Sequence, residues 1–168
     1  LSLGLRTDFN NYNKSMSSIF NQFSPRASLS YYLKSNLKFS INSGIYYQLP
    51  AYTVMGYRDG DVLINKENDL TYIKCTHYVS GFEYITNSNT KLSLEGFYKE
   101  YDNYPYLVRD SISLANLGAD FGVIGDEPVT STSQGRTYGL EFFAQRKLTK
   151  GIYGLFSYTF SYSQFSNT

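Results

Sequence analysis

The chain has 168 residues, a net charge of +1, only 17% charged residues against about 25% in typical soluble domains, and 18% aromatics made up of 18 Tyr and 12 Phe without Trp. That length allows one domain with a real core. Lys and Arg are scattered rather than gathered in a stripe, which excludes nucleic acid as a partner. The single cysteine, Cys75, excludes an internal disulfide. No apolar run approaches the 18 or so residues of a membrane helix, and Leu1-Ser2-Leu3-Gly4-Leu5-Arg6 lacks the charged region and cleavage site of a signal peptide.

In chain order, Leu1 to Thr7 alternates Leu1, Leu3 and Leu5 with polar or small partners and reads as the end of a strand. Asp8 to Ser24 is an Asn- and Ser-rich loop. Three predicted hairpins follow: Pro25 to Leu33 with Leu37 to Tyr47, Thr76 to Thr86 with Lys91 to Tyr101, and Gly135 to Lys147 with Ile152 to Tyr162. Each is closed by a short turn. Long separators join them, Gln48 to Cys75 with Pro50, Gly56 and Asp59-Gly60-Asp61, and Asp102 to Gln134 with Pro105, Gly118, Gly122, Gly125 and Pro128. Short turns at one end and long loops at the other suit a transmembrane β-barrel, whose strands cross the hydrocarbon in about 9 to 11 residues.

Side chains alternate across a strand, so two faces can be read directly. One carries Leu29, Tyr31, Phe39, Ile41, Phe82, Leu92, Leu94, Leu140, Phe142, Phe156 and Phe160, with Glu100 and Arg146 as its only charges, both at strand ends. Tyr47, Tyr78, Tyr98, Tyr138 and Tyr162 stand on this face at the long-loop end, the pattern of an aromatic girdle. The opposite, wet face includes Arg26, Lys38, His77, Glu83, Glu95, Lys99 and Glu141, expected to line a lumen. Periodicity alone also admits a soluble β protein with the apolar face turned inward.

Little here supports chemistry. Cys75 and His77 supply two potential ligands where a structural zinc site needs four. Asp59, Asp61, Glu67 and Asp69 lack the spacing of an EF-hand loop. Glu83, Glu95 and Glu141 share the polar face without a nucleophile or phosphate-binding loop, so they are expected to form charge pairs with Lys38, Lys99 and Lys147. No catalytic residue, cofactor or metal is expected. The strand-to-loop exits are richer: Tyr46, Gln48, Tyr52, Tyr101, Asp102 and Tyr104 are candidate substrate contacts, because aromatics and amides stack on rings and bond their edges at low entropy cost.

Five stretches carry a family likeness: Ser24-Pro25-Arg26, Tyr46-Tyr47-Gln48-Leu49-Pro50, Glu95-Gly96-Phe97-Tyr98-Lys99-Glu100-Tyr101, Gly135 to Phe143 with Arg146-Lys147-Leu148, and Phe156-Ser157-Tyr158-Thr159-Phe160. In this order and spacing the chain resembles the barrel of TonB-dependent outer-membrane receptors, particularly those of Bacteroidetes-type bacteria. The resemblance implies a 22-stranded barrel filled by an amino-terminal plug and energised by an inner-membrane TonB complex. Such receptors import ferric siderophores, cobalamin or oligosaccharides, in some cases beside a surface lipoprotein.

The expected fold is therefore all-β, an antiparallel meander of about seven strands over residues 1–168, forming part of a transmembrane barrel whose plug and other strands lie elsewhere. The expected partners are outer-membrane lipid, the TonB complex through the plug, a nutrient ligand and possible surface lipoprotein. Two alternatives stand beside it: a small complete barrel of eight strands that anchors or adheres, and a soluble carbohydrate-binding β protein.

Overall fold

The computed structural model describes residues 1–86, 89–117 and 124–167. Its elements in chain order are β1 (Ser2–Thr7), α1 (Lys14–Ser17), β2 (Phe23–Lys34), β3 (Leu37–Gln48), α2 (Tyr52–Met55), β4 (Arg58–Asp59), β5 (Val62–Leu63), α3 (Ile64–Glu67), β6 (Ile73–Thr86), β7 (Thr90–Leu107), β8 (Ile112–Ser113), a 3-10 turn (Leu114–Asn116), β9 (Val129–Thr149) and β10 (Ile152–Asn167). The long strands pair antiparallel with their sequence neighbours in the order β1-β2-β3-β6-β7-β9-β10, with β8 on the end of β7. This is the expected meander. The edges β1 and β10 do not pair with each other among the described residues, so the sheet is an open arc rather than a closed barrel of eight strands.

The turns are as tight as the alternation predicts. Lys34 pairs with Leu37 across Ser35-Asn36, and Thr149 pairs with Ile152 across Lys150-Gly151. Lys150 and Gly151 both take positive φ, 52° and 78°, which matches a two-residue turn to the twist of its strands and explains the glycine. In the second turn Asn87 and Ser88 lie outside the described residues, as do Gly118 and Gly122 of the last separator.

Register places the apolar side chains in continuous cross-strand rows. Ser43 faces Tyr78, Tyr78 faces Tyr98, Tyr98 faces Tyr138 and Tyr138 faces Tyr162. The four tyrosine rings follow one another at centroid distances of 6.4, 6.4 and 5.6 Å. Below that row, towards the short turns, come Ile41, Leu140 and Phe160, then Phe39, Phe82, Leu94 and Phe142. Above it the same face becomes polar, with the Lys74–Asp102 ion pair and Arg136 bonded to Gln164. A girdle between an apolar band and a polar rim is the profile of a membrane-crossing wall.

Tyr47 does not belong to that row. Ser43 takes the place in β3, and Tyr47 stands higher, edge-on to Tyr72 at 6.5 Å beside the loops. The spacing from Ser43 to Tyr47 is even, so alternation alone cannot separate the two heights.

Nothing among the described residues covers the apolar face. Leu140 is 55% and Phe160 is 56% exposed, which removes the soluble alternative, since that reading requires this face to be packed inside. The buried core lies instead among the loops, in Met16, Val54, Met55, Leu70, Tyr72, Leu107 and Val129. No helix among the described residues is long and apolar enough to cross a membrane.

Strands on the loop side run further than the pattern of the sequence predicts. β7 continues to Leu107 through Asp102 and Pro105, and β9 begins at Val129 rather than Gly135. The register shifts between Tyr101 and Tyr104 and again between Tyr104 and Tyr106, and Asn103 takes a φ of 57°. These bulges let Pro105 sit within a strand without owing the ladder an N–H.

Candidate ligand-facing wall and loop cap

The polar face holds its charges in ordered rows. Lowest, near the turns, Lys38 faces Glu83, and the Glu83 carboxylate takes the Lys38 ammonium at 2.8 Å and the Lys91 ammonium at 2.6 Å. One row up, Glu95 and Glu141 face each other directly, a like-charge pairing that a sheet tolerates only at a cost. Higher still, Arg26 faces Gly44, Gly44 faces His77, and His77 faces Lys99. Of the pairings expected for the lysines, Lys38 with Glu83 forms. Lys99 instead places its ammonium 5.2 Å above the Phe97 ring, and neither Lys99 nor Lys147 has an ion pair among the described residues.

The same face carries rings that alternation assigns to it but composition disguises. Phe97 faces Gly139, where a Cβ would come within 2.7 Å of the Phe97 ring and 2.1 Å of the Phe160 carbonyl. Phe165 faces Gly135 and would meet a Cβ there at 2.2 Å. Each ring thus lies down over a glycine on the next strand instead of standing away from the sheet, which shields apolar area on the polar face. Only the strand pairing reveals these contacts, since it decides which aromatic has a glycine directly opposite.

Above the wall the loops interlock into a cap. Asn13 accepts from the Met16 N–H at 2.9 Å and donates to the Leu70 carbonyl at 2.7 Å, joining the first loop to the second. Tyr12 donates its hydroxyl to the Met55 carbonyl at 2.6 Å. Fully buried Asn65 donates to the Val54 carbonyl and accepts from the Val129 N–H, both at 2.7 Å, joining the second loop to the third. Burial pushes the Tyr12 and Tyr72 phenols above their usual range, so both remain neutral hydroxyls. Asp59-Gly60-Asp61 forms the tip of the β4–β5 turn, Gly60 having a φ of 58°, and no cluster of potential metal ligands occurs among the described residues.

The six candidate contacts fall in separate places. Tyr46 lies on the wall, its ring 4.4 Å from that of His77 and under the Arg26 guanidinium at 4.2 Å. Gln48 and the 77% exposed Tyr52 line a rim recess of about 490 Å³ with Arg6, Asp8 and Tyr72. Tyr101 and Tyr104 close around Phe165 at 5.2 and 5.0 Å. Asp102 is taken by Lys74 at 3.1 Å, beside a second recess of about 710 Å³ that includes Arg136 and Gln134. The cap core and Asn65 were not among the sequence candidates, because Met16, Asn65 and Leu70, and the Val54-Met55 pair, stand far apart in polar segments without a period.

The family model described as TonB dependent receptor-like, beta-barrel matches residues 1–168. No curated protein sequence matches the chain. Among solved structures the chain is similar to the alcaligin outer-membrane receptor FauA of Bordetella pertussis, with a TM-score of 0.55 and 18% identity, over 85% of this chain. It spans 22% of that receptor's length. At this identity the likeness speaks to the fold, and it agrees with the antiparallel arc. A bare apolar band bounded by tyrosines, a charged opposite face, and a family match across the whole length lead to one assignment: the chain belongs to the TonB-dependent receptor β-barrel family, receptors of the bacterial outer membrane rather than enzymes.

Proposed function

We propose that the chain is an arc of the wall and outer loops of an uptake receptor, with the plug and remaining strands supplied by other parts of the protein. In this reading the apolar face meets outer-membrane lipid, the inner face lines the passage, and the TonB complex acts through the plug. The nutrient is a ferric siderophore or a similar cargo, captured at the rim by residues such as Gln48 and Tyr52 and released inward when the plug rearranges, with no bond chemistry. A surface lipoprotein, where one participates, docks on the cap.

The observation that carries this reading is the placement of an interlocked loop cap directly above a charged wall, on a sheet whose other face is bare. Such a cap offers concave recesses at the mouth while leaving the wall free to pass cargo. The test is transport of a radiolabelled ferric siderophore by cells carrying the complete receptor. Surface binding is expected to persist after the proton-motive force is collapsed while accumulation stops. Accumulation that continues unchanged would refute energised uptake.

A further inference from the structure

Resting on that reading, we infer that the cargo carries net negative charge, and that Arg26, Tyr46, His77 and Lys99 form an anion-binding patch on the inner wall just below the rim. Register sets Arg26, His77 and Lys99 in one cross-strand row at the level of the tyrosine girdle. The row is held in advance. The Arg26 guanidinium lies over the Tyr46 ring, and Tyr46 is braced against His77. Gly44 makes room for this stack, since a Cβ there would sit 2.9 Å from Arg26 Cγ and 3.2 Å from the Tyr46 ring.

The charge of the patch is not neutralised within the described residues. None of the ion pairs there uses Arg26 or Lys99, and Arg26 Nε is buried without a hydrogen-bond partner. The carboxylates of the inner wall stand nearer the turns. Glu83 is occupied by two lysines, and Glu95 is four residues from Lys99 along β7, roughly 13 Å at the rise of a strand. A guanidinium and an ammonium fixed on a low-dielectric wall, with donors to spare, favour carboxylate, phosphate or phenolate oxygens over neutral hydroxyls. The patch therefore discriminates between the cargo classes open to the family's barrel: an anionic chelate or acidic glycan fits it, and an uncharged oligosaccharide does not use it.

The test is equilibrium binding by the complete receptor, purified in detergent, of two matched probe pairs: an anionic ferric catecholate complex against a neutral ferric hydroxamate complex, and a uronate oligomer against a neutral hexose oligomer. In at least one pair the anionic member is expected to bind more tightly. R26Q/K99Q should weaken that member by about tenfold or more, the scale of a lost charge-assisted hydrogen bond, and leave the neutral one unchanged. K99Q alone, and added salt on the unaltered receptor, should act in the same direction. Tighter binding of the neutral members, retention of no anionic probe, or an unchanged preference in the double variant would each overturn the assignment. So would a double variant that melts earlier without ligand yet keeps its preference, because the patch would then be holding the plug. Energised uptake of a neutral probe leaves the receptor reading standing while removing this one, and absence of energised uptake for every probe removes the receptor reading itself.

Discussion

Asn65 joins two loops through one side chain, and both of its bonds are buried. Asn65→Ala leaves the Val129 N–H without a partner away from water and the Val54 carbonyl with only the longer bond from the Tyr57 N–H at 3.4 Å, a loss of about 1–3 kcal/mol for the unsatisfied N–H. Amide exchange over 49–72 and 124–129 should quicken strongly while the strands stay protected; unchanged loop protection would contradict the role given to this amide. Glycines offer a sharper contrast. Gly139→Ala drives a methyl into the Phe160 carbonyl and the Phe97 ring, whereas nothing lies within 4 Å of the Cβ position at Gly154. The first variant is expected to lower the heat resistance of the folded receptor on electrophoresis and Gly154→Ala to leave it intact. At this scale the faces of the strands were readable, because a period of two assigns every side chain once one is placed. The glycine–aromatic contacts were not, since they depend on which residue of the next strand stands opposite.

Strand β9 places opposite demands on adjacent residues. Phe142 belongs to the apolar row facing Leu94 and Tyr158, midway between the tyrosine row and the turns, while Glu141 faces Glu95 on the polar face. Phe142→Arg should destabilise the protein folded into lipid vesicles by about 2–4 kcal/mol, the price of an arginine near the bilayer midplane. Glu141→Arg turns a like-charge pair into an opposite one and should be neutral or stabilising by up to about 1 kcal/mol. Urea titration in vesicles checks both, and equal losses for the two variants would reverse the assignment of faces. The hairpins and their turns were legible because alternation and turn residues agree. The upper reaches of β7 and β9 were hidden because Pro105 and Asn103 argue for a loop, and only the bulges reconcile them with pairing.

For the whole molecule, loops and turns lie on opposite sides of the membrane. A cysteine replacing exposed Asp61, at the β4–β5 tip, should react with an impermeant maleimide on intact cells. One replacing Ser35, in the β2–β3 turn, should react only after the outer membrane is opened. The native thiol of Cys75 is buried and gives little background. Labelling of the Ser35 variant alone on intact cells would invert the topology. The sense of an arc was legible from counting strands, but the folded cap was not, because its apolar residues come from three distant segments and make no local pattern.

The rings of Phe97 and Phe165 and the aliphatic stem of Arg26 lie across Gly139, Gly135 and Gly44, and in the proposed receptor this bears on the clearance of the passage. A long side chain laid into the dent left by a missing Cβ occupies the depth of the wall, not the width of the bore. On the proposed reading, long residues could then be displayed to a passing cargo without narrowing its route, and the polar face would act as a track with shallow relief along which cargo meets successive contacts without having to dislodge any of them.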